Sequence, residues 1–413
     1  MELVKIKERI SENLDTLKQF TATPGNGCTR LPFTKEARDA VNYLKTVMEE
    51  AGLEVWEDAA GNVLGVLKGE DENAPCVMMG SHYDSVTNGG DYDGIAGAVC
   101  AIEVARQLKD RGITPKRNFV AVGFCDEEGL RFGTGYFGSG AMLGNRDVAY
   151  CKNFKDTNGI SIYDAMKSYG LDPEKIEDAK WPEGSIGEFL ELHIEQGPVL
   201  DAEKIQLGLV DCIVGIQRYM VTVHGRADHA GTTPMDMRLD AVDAATKVIS
   251  KIPDWAREKG AGTVATTGYI KTTPGGMNIV AEKVEFTVDI RSINNDYIND
   301  ITSKIRAALD YETEKMGGSY EMDNKLTITP VDLSEEMLQI MEDDCKEKGY
   351  SCKRLPSGAG HDALEIGQVL PTVMLFVPSK DGRSHCPVEH TEHSEFAKAS
   401  VIMNGLAKNL LAR

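Results

Sequence analysis

Apolar residues recur at helical spacing in some parts of the chain and form short continuous runs in others. Near the N-terminus, apolar residues recur every three or four positions, which predicts an amphipathic helix over about 3–20. A second helix is predicted from Lys35 to Ala51, with Thr34 as its N-cap and Gly52 as its stop. The run 118–125 is almost continuously apolar, as in a strand buried on both faces.

Helices and strands then alternate. Further strands are predicted at 53–56, 63–67, 76–79, 189–192 and 370–377, and further helices from Asp93 to about Gly112 and at 335–349 and 391–411. Alternating strands and helices predict an α/β fold with a mostly parallel sheet and flanking helices. The polar segment from about 149 to 186 predicts an irregular excursion over the surface.

The central part of the chain has the pattern of an antiparallel sheet with helices. Residues 219–225 alternate polar and apolar, as in a half-exposed antiparallel strand. Strands at 264–270 and 278–291 and helices at 240–252 and 296–316 complete this pattern. We therefore predict a small α+β domain, 213–329, inserted between 1–212 and 330–413 of a catalytic domain. Its sheet exposes one face and two edges, which favours a partner chain.

Composition and charge narrow the class of function. The chain has 413 residues, 41% hydrophobic and 27% charged, and a formal net charge of -20. Such a charge argues against nucleic acid or an acidic membrane surface as a partner, so small-molecule chemistry is expected. The N-terminus lacks the apolar core of a signal peptide, and no stretch approaches the ~20 apolar residues of a membrane span. Nine cysteines without a Cys-x-x-Cys pair indicate a reduced, cytoplasmic protein.

The first candidate chemistry lies after the predicted strand 76–79. His82 and Asp84 are two positions apart, so on extended backbone they point to the same side, and Asp84 can accept the second ring N–H of His82. Asp93 follows in a glycine-rich turn that leads into a helix, and its carboxylate can bridge two metal ions. Taken alone, the segment also fits a capped turn with a surface histidine.

Three acids follow the buried strand 118–125. Asp126, Glu127 and Glu128 stand at a strand end, where ligands collect in open α/β sheets. Adjacent carboxylates suit metal-assisted hydrolysis, in which one binds the ion and the other takes a proton from water. The alternative is an exposed acidic turn. The run 133–138 has the glycine spacing of a dinucleotide-binding motif. That motif needs its glycines directly after the strand, and here the acid-rich turn stands between them, so we do not predict a dinucleotide site.

Two further histidines also follow predicted strands, His193 after 189–192 and His385 after 370–377. A lone histidine in such a place is more often structural. Together the strand ends supply His82, Asp93, Glu128, His193 and His385, with Glu127 beside them. A set of imidazoles and carboxylates without cysteine suits zinc, with manganese or cobalt as alternatives, and its size fits two ions that share one carboxylate.

Several stretches of this chain carry a family resemblance. They are Gly80–Asp84, Asn88–Asp93, Glu127–Gly129, Glu191–Gly197, His229–Pro234, Gly358–Asp362 and Ser384-His385. At these residues the chain resembles the hydantoinase/carbamoylase family of dinuclear metal amidohydrolases, relatives of aminoacylase and the carboxypeptidase-like metallopeptidases. The resemblance implies a metal-dependent exopeptidase-like fold. It also implies that His82 and His193 hold one ion, that Glu128 and His385 hold the other, that Asp93 bridges them and that Glu127 is the general base.

The same resemblance implies that the inserted domain is a lid that dimerises and contacts the substrate. Arg291 would bind a substrate carboxylate, and His229, from the partner subunit, would stabilise the oxyanion. The other substrate contacts it implies are Asn278, Gln196, Gln217, Gly360 and His361. Many members have Gly-Gln-Arg-Arg-Tyr where this chain has Gly-Ile-Gln-Arg-Tyr at 215–219, and Gln where it has Leu364.

We therefore expect a hydrolase that cleaves the ureido group of an N-carbamoyl-L-amino acid. Allantoate, which also carries ureido groups and a carboxylate, is the nearest alternative. A dipeptidase or aminoacylase is a more distant one. A metal-free binding protein on the same fold is an alternative of another class, and metal analysis separates it from any of these enzymes.

Overall fold

The computed structural model describes residues 2–260 and 262–413, which form two compact units. The first comprises the residues up to Asp211 together with Leu333–Leu355 and Gly360–Arg413. The second comprises Cys212–Asp332 and Pro356–Ala359. The segment 213–329, predicted as an inserted domain, lies within this second unit.

A nine-stranded mixed sheet organises the first unit. Its strands, in spatial order, are Glu54–Glu57, Val63–Leu67, Phe119–Phe124, Cys76–His82, Ile186–Ile194, Thr372–Val377, Leu207–Ile213 and Val331–Asp332, and Cys352–Ser357 also pairs with Leu207–Ile213. The four central strands are parallel, and the outer ones are antiparallel. The prediction of a largely parallel α/β sheet is thus confirmed.

The parallel arrangement decides where functional side chains collect. Cys76–His82, Phe119–Phe124 and Thr372–Val377 are buried along their whole length, which explains their continuous apolar runs. Because parallel strands end at the same edge of a sheet, the residues at and after these ends share one rim.

Helices cover the sheet. Those of the first unit are Glu2–Leu17, Lys35–Glu50, Ile95–Asp110, Phe137–Met142, Val148–Asn153, Ile162–Tyr169, Val199–Glu203, Glu335–Lys348, Asp362–Ile366 and His393–Leu411, with 3-10 turns at Pro173–Ala179 and Lys380–Gly382. Ile95–Asp110 is buried over most of its surface, because it packs on the sheet and against Glu2–Leu17 and His393–Leu411. Thr34 caps its helix as predicted, accepting a hydrogen bond from the backbone N–H of Ala37.

The prediction of an irregular segment at 149–186 is wrong. It holds two short helices, Val148–Asn153 and Ile162–Tyr169, and a 3-10 turn, Pro173–Ala179. Each presents a few apolar residues to the core, among them Cys151, Ile162, Ala165, Met166 and Ile176. Elements of six to eight residues are too short for their periodicity to stand out from the polar residues between them.

The second unit is an antiparallel sheet covered by helices on one face. Its strands, in order, are Ile270–Thr273, Lys283–Ser292, Gly215–His224 and Ser319–Ile328, with Thr263–Thr266 also beside Lys283–Ser292 and a separate pair formed by Asp228–His229 and Ile279–Val280. Its helices are Ala241–Ile249, Ile252–Lys259 and Asn295–Met316, with a 3-10 turn at Met235–Met237. Alternate residues of Lys283–Ser292 are buried against these helices, as a half-exposed sheet requires.

Among the described residues, no helix combines the length and the apolar composition needed to cross a bilayer.

Candidate metal centre

Five predicted ligands converge at the rim where the parallel strands end. Potential ligand atoms of His82, Asp93 and His193 lie within 4.8 Å of one another, and so do those of Asp93, Glu128 and His385. Asp93 belongs to both groups. The structure therefore brings together every residue that the sequence analysis assigned to the two ions, with Asp93 in the shared position.

The two oxygens of Asp93 face different histidines. Oδ1 lies 3.0 Å from Nδ1 of His193, and Oδ2 lies 3.1 Å from Nε2 of His385. Nε2 of His385 is also 3.4 Å from Oε1 of Glu128. A carboxylate that presents one oxygen to each side is the arrangement that two neighbouring cations need from a shared ligand.

His82 is the last residue of its strand and is held by its neighbours. Its Nδ1 lies 3.1 Å from the backbone carbonyl oxygen of Asp84 and 3.5 Å from the Asp84 carboxylate. The carboxylate itself accepts hydrogen bonds from the backbone N–H groups of Glu127 and Glu128, at 3.1 and 3.3 Å. Asp84 therefore positions both His82 and the acid pair. Gly94 has φ +67°, and a Cβ there would lie 2.2 Å from the His82 ring, so only glycine fits.

His193 is fixed from behind by two residues that the sequence analysis did not assign. Its Nε2 lies 2.9 Å from Oγ of Ser81 and 3.2 Å from Oε1 of Glu191. Ser81 donates to Glu191, whose other oxygen accepts from the backbone N–H of Ala363 at 2.7 Å. This network leaves Nδ1 of His193 facing Asp93. A signal existed in the sequence: Glu191 stands two positions before His193 and so shares its face of the strand.

The acid pair lies in a nearly dry environment. Glu127 is 6% exposed, and its Oε2 lies 3.8 Å from Nε2 of His82. Burial raises the pKa of Glu127 well above its ordinary value, and the neighbouring Glu128 carboxylate raises it further. Burial and the charge of Asp93 raise the pKa of Glu128 to about 7. A carboxylate with a raised pKa is a stronger proton acceptor, which suits a general base.

Burial acts on the histidines in the opposite direction, but their net pKa shifts are also upward. Burial lowers the pKa of His193, but hydrogen bonds to Asp93 and Glu191 outweigh it and raise the pKa to about 9. The hydrogen bond to Asp93 raises the pKa of His385 to about 9 as well. The centre therefore favours positive charge, and its imidazoles and carboxylates, when deprotonated, are groups that bind divalent cations. The donor set fits such ions.

Three predicted substrate contacts lie in the same unit as the metal centre. The side-chain amide of Gln196 donates to Oδ2 of Asp93 at 2.8 Å and lies 3.3 Å from Nε2 of His385. The buried ring of His361 lies 4.4 Å from that of His193, measured between centroids. Gly360 borders Oη of Tyr136, which a Cβ would meet at 2.0 Å. The structure therefore brings Gln196 and His361 to the candidate ligands.

The other predicted contacts belong to the second unit. His229 is exposed on the strand that pairs with Ile279–Val280, and the backbone carbonyl of Asn278 accepts from the N–H of Ala230. The structure therefore brings the segments of His229 and Asn278 together. Arg291 lies on the face of the larger sheet that points away from the helices.

Gln217 lies on the opposite, helix-covered face of this sheet. Its Oε1 accepts from the hydroxyls of Tyr219 and Thr302, both at 2.8 Å, and its amide donates to Asn299 at 3.2 Å. The structure does not bring Gln217 and Arg291 together. The role of Gln217 as a substrate contact stays a prediction, and its side chain is engaged in the interior of the second unit.

Glu389 is a further residue that the sequence analysis missed. It is 6% exposed, and its Oε1 accepts from the backbone N–H groups of Tyr92 and Asp93, at 3.1 and 3.2 Å. Its Oε2 accepts from Oγ of Ser384 at 2.9 Å. Glu389 therefore joins the turn that carries the shared carboxylate to the loop that carries His385. The only feature of the sequence that points to Glu389 is its position, four residues after His385.

Comparisons with known proteins identify the family of this chain. The sequence profile described as Peptidase family M20/M25/M40 matches residues 78–409. An N-carbamoyl-L-amino-acid amidohydrolase of Paenarthrobacter aurescens is 37% identical over 403 residues, 98% of each chain. An allantoate amidohydrolase of Bacillus subtilis is 36% identical over 388 residues, 94% of each chain.

The fold agrees as well. The crystal structure of an amidase of the hydantoinase/carbamoylase family from Burkholderia multivorans matches with a TM-score of 0.91 and 29% identity, over 98% of each chain. Enzymes of the M20 family are metal-dependent, and the named relatives are amidohydrolases that act on C–N bonds. The chain is therefore an amidohydrolase that belongs to the peptidase family M20/M25/M40, and its resemblance to the hydantoinase/carbamoylase amidases is confirmed.

Proposed function

We propose that this enzyme hydrolyses the ureido group of an N-carbamoyl-L-amino acid. One water is consumed, and the products are the free amino acid, ammonia and carbon dioxide. The observation that carries the proposal is the carboxylate of Asp93, shared between two groups of candidate ligands beside the buried Glu127. The relative at 37% identity, which is named for an activity on N-carbamoyl-L-amino acids, supports the choice of substrate class.

The metal centre in this proposal holds two divalent ions per chain, with zinc as the first candidate and manganese or cobalt as alternatives. His82 and His193 would hold one ion and Glu128 and His385 the other, and the carboxylate of Asp93 would be available to both. When bound, the ions polarise the ureido carbonyl and lower the pKa of water. The remaining steps belong to side chains of this chain.

Glu127 acts as the general base. Its carboxylate takes a proton as water attacks the ureido carbon, and delivers the proton to the departing nitrogen. Two features support this role. The backbone N–H of Glu127 is anchored by Asp84, and burial raises the pKa of its carboxyl group. Together they give a positioned acceptor in a site with little water.

The substrate carboxylate is bound by Arg291, whose planar guanidinium offers paired N–H donors. Gln196, Asn278, Gly360 and His361 contribute further contacts. The position of Gln196 beside Asp93 and His385 supports its part in this set. His229 stabilises the negative charge on the carbonyl oxygen as water adds.

The enzyme acts as a homodimer, and the second unit forms the interface. Large apolar side chains are exposed on the two segments around His229 and Asn278, among them Met235, Met237 and Met277. The ten-residue strand Ser319–Ile328 lies at the edge of its sheet. Exposed apolar residues and an open strand edge favour association with a partner chain.

Allantoate is the second candidate substrate, since the Bacillus subtilis relative named for it is 36% identical.

A reducing, cytoplasmic setting is supported by the nine cysteines, all of which are free thiols.

The proposal is tested by measuring ammonia release from N-carbamoyl-L-amino acids, allantoate, ureidopropionate and dipeptides, with Zn²⁺, Mn²⁺ or Co²⁺ added. We expect an N-carbamoyl-L-amino acid to give the highest kcat/KM and its D-enantiomer to be a poor substrate. A higher kcat/KM for allantoate would select the second candidate. Cleavage of dipeptides without release of ammonia from any ureido acid would contradict both.

A further inference from the structure

Arg291 is held by a carboxylate on its own strand. Asp289 stands two positions earlier and therefore on the same face of the sheet. Nε of Arg291 donates to Oδ1 of Asp289 at 2.8 Å, and one terminal nitrogen, Nη2, lies 3.4 Å from Oδ2. The carboxylate thus lies along one edge of the guanidinium and fixes the plane of the fork.

A second arginine holds the same carboxylate. Arg218 lies directly opposite Asp289 on the neighbouring strand, and its Nε donates to Oδ2 at 2.7 Å. Burial raises the pKa of Asp289, but the hydrogen bonds from Arg291 and Arg218 outweigh it, and the net shift is downward. Asp289 is therefore ionised at neutral pH, and the row of three side chains keeps one net positive charge.

A backbone carbonyl contacts the other terminal nitrogen of Arg291. This nitrogen, Nη1, donates to the carbonyl oxygen of Gly358 at 2.7 Å. Arg291 has five N–H donors, and these contacts engage three of them. One N–H donor therefore remains on each terminal nitrogen for a further acceptor.

We propose that Asp289 is a positioning residue for substrate recognition. It holds the Arg291 guanidinium so that one N–H on each terminal nitrogen stays available to the substrate carboxylate, and Arg218 holds Asp289 in turn. This inference rests on the proposed function, because it deepens the role that the proposal gives to Arg291. It makes preference for carboxylated substrates depend on a residue that does not itself touch them.

The substitution Asp289→Asn tests the inference, because asparagine keeps the size of the side chain but directs an NH2 group at one guanidinium nitrogen. The substrates are an N-carbamoyl-L-amino acid and the same compound with a carboxamide in place of the carboxylate. Loss of a charged hydrogen bond is worth ~10- to 100-fold, so we expect KM for the carboxylate to rise by about that factor. The kcat for it, and kcat/KM for the carboxamide, should stay within about threefold of wild type.

Two comparisons separate positioning from a general defect. Asp243→Asn is the matched control, because Asp243 is an exposed aspartate on a helix of the same unit whose ion pair is with Lys247; it should leave KM unchanged. Adding Asp289→Asn to Arg291→Lys should cause no further loss if Asp289 acts only through Arg291. An equal loss on both substrates, or an additive loss in the double variant, would overturn the inference.

A measurement without turnover keeps this result distinct from failure of the proposed function. The ¹⁵N–¹H signal of the Arg291 Nε group, assigned by its loss in Arg291→Lys, reports the hydrogen bond to Asp289 directly. We expect solvent exchange of this proton to be at least ~10-fold faster in Asp289→Asn than in wild type. Unchanged exchange would overturn the inference even in an active enzyme. Absence of ureido hydrolysis by wild type would instead overturn the proposed function.

Discussion

Replacing Glu127 with glutamine is expected to abolish nearly all turnover while leaving metal content and folding intact. Glutamine preserves the shape of a side chain that is 6% exposed, but it cannot accept the proton from water. Loss of a general base lowers the rate by about 10²- to 10⁴-fold, and by more when the same group also protonates the leaving nitrogen. Steady-state ammonia release and metal analysis of the purified variant check both expectations.

Glu128 provides the matched control, since it is the neighbouring residue with the same side chain. Its Oε1 lies 3.4 Å from Nε2 of His385, and it belongs to the ligand group that contains Asp93. Glu128→Gln should therefore weaken metal binding, and high metal concentrations should restore part of its activity. The reverse pattern, with metal lost from Glu127→Gln and retained by Glu128→Gln, would mean that the two acids exchange roles.

The second large effect is expected for His229→Ala, which should lower turnover by about 10²- to 10³-fold with the metal content unchanged. Nδ1 of His229 accepts a hydrogen bond from the backbone N–H of Gly231 at 3.0 Å. In the neutral ring the proton therefore resides on Nε2, which is the tautomer that can donate to a developing oxyanion. Ammonia release under saturating substrate measures the effect on kcat.

Subunit mixing tests whether His229 serves its own chain or the partner. In a mixed dimer of His229→Ala and Glu127→Gln chains, a histidine acting across the dimer places both lesions in one site and leaves the other site intact. We expect activity to return in part when the two inactive proteins exchange subunits. Continued inactivity, with exchange confirmed by native mass spectrometry, would show that His229 serves its own chain.

The sequence was most informative where position in the fold and chemistry coincide. His82, Glu127 and Glu128 follow or end fully buried strands, so a parallel sheet places them on one rim whatever the details of packing. Glu389 was missed because its partners, Tyr92 and Asp93, are distant in sequence. Glu191 shares a strand face with its partner His193, and only its second partner, the backbone of Ala363, is distant.

Fewer features of the second unit could be predicted from the sequence. The strand Ser319–Ile328 was not predicted, because most of its positions are exposed and polar. Gln217 was assigned by motif position alone, although strand alternation groups it with Tyr219 and Val221, which face the helices. The link between Asp289 and Arg218 depends on strand register, which periodicity does not determine.

Ureido hydrolysis is expected to depend on metal bound at the centre built around Asp93. Stepwise addition of Zn²⁺ to chelator-treated protein, with bound metal and ammonia release followed in the same samples, tests it most directly. We predict that activity rises with metal content to a plateau at about two ions per chain, with ammonia and amino acid formed in equal amounts. Full turnover by protein shown to be free of metal would contradict the account.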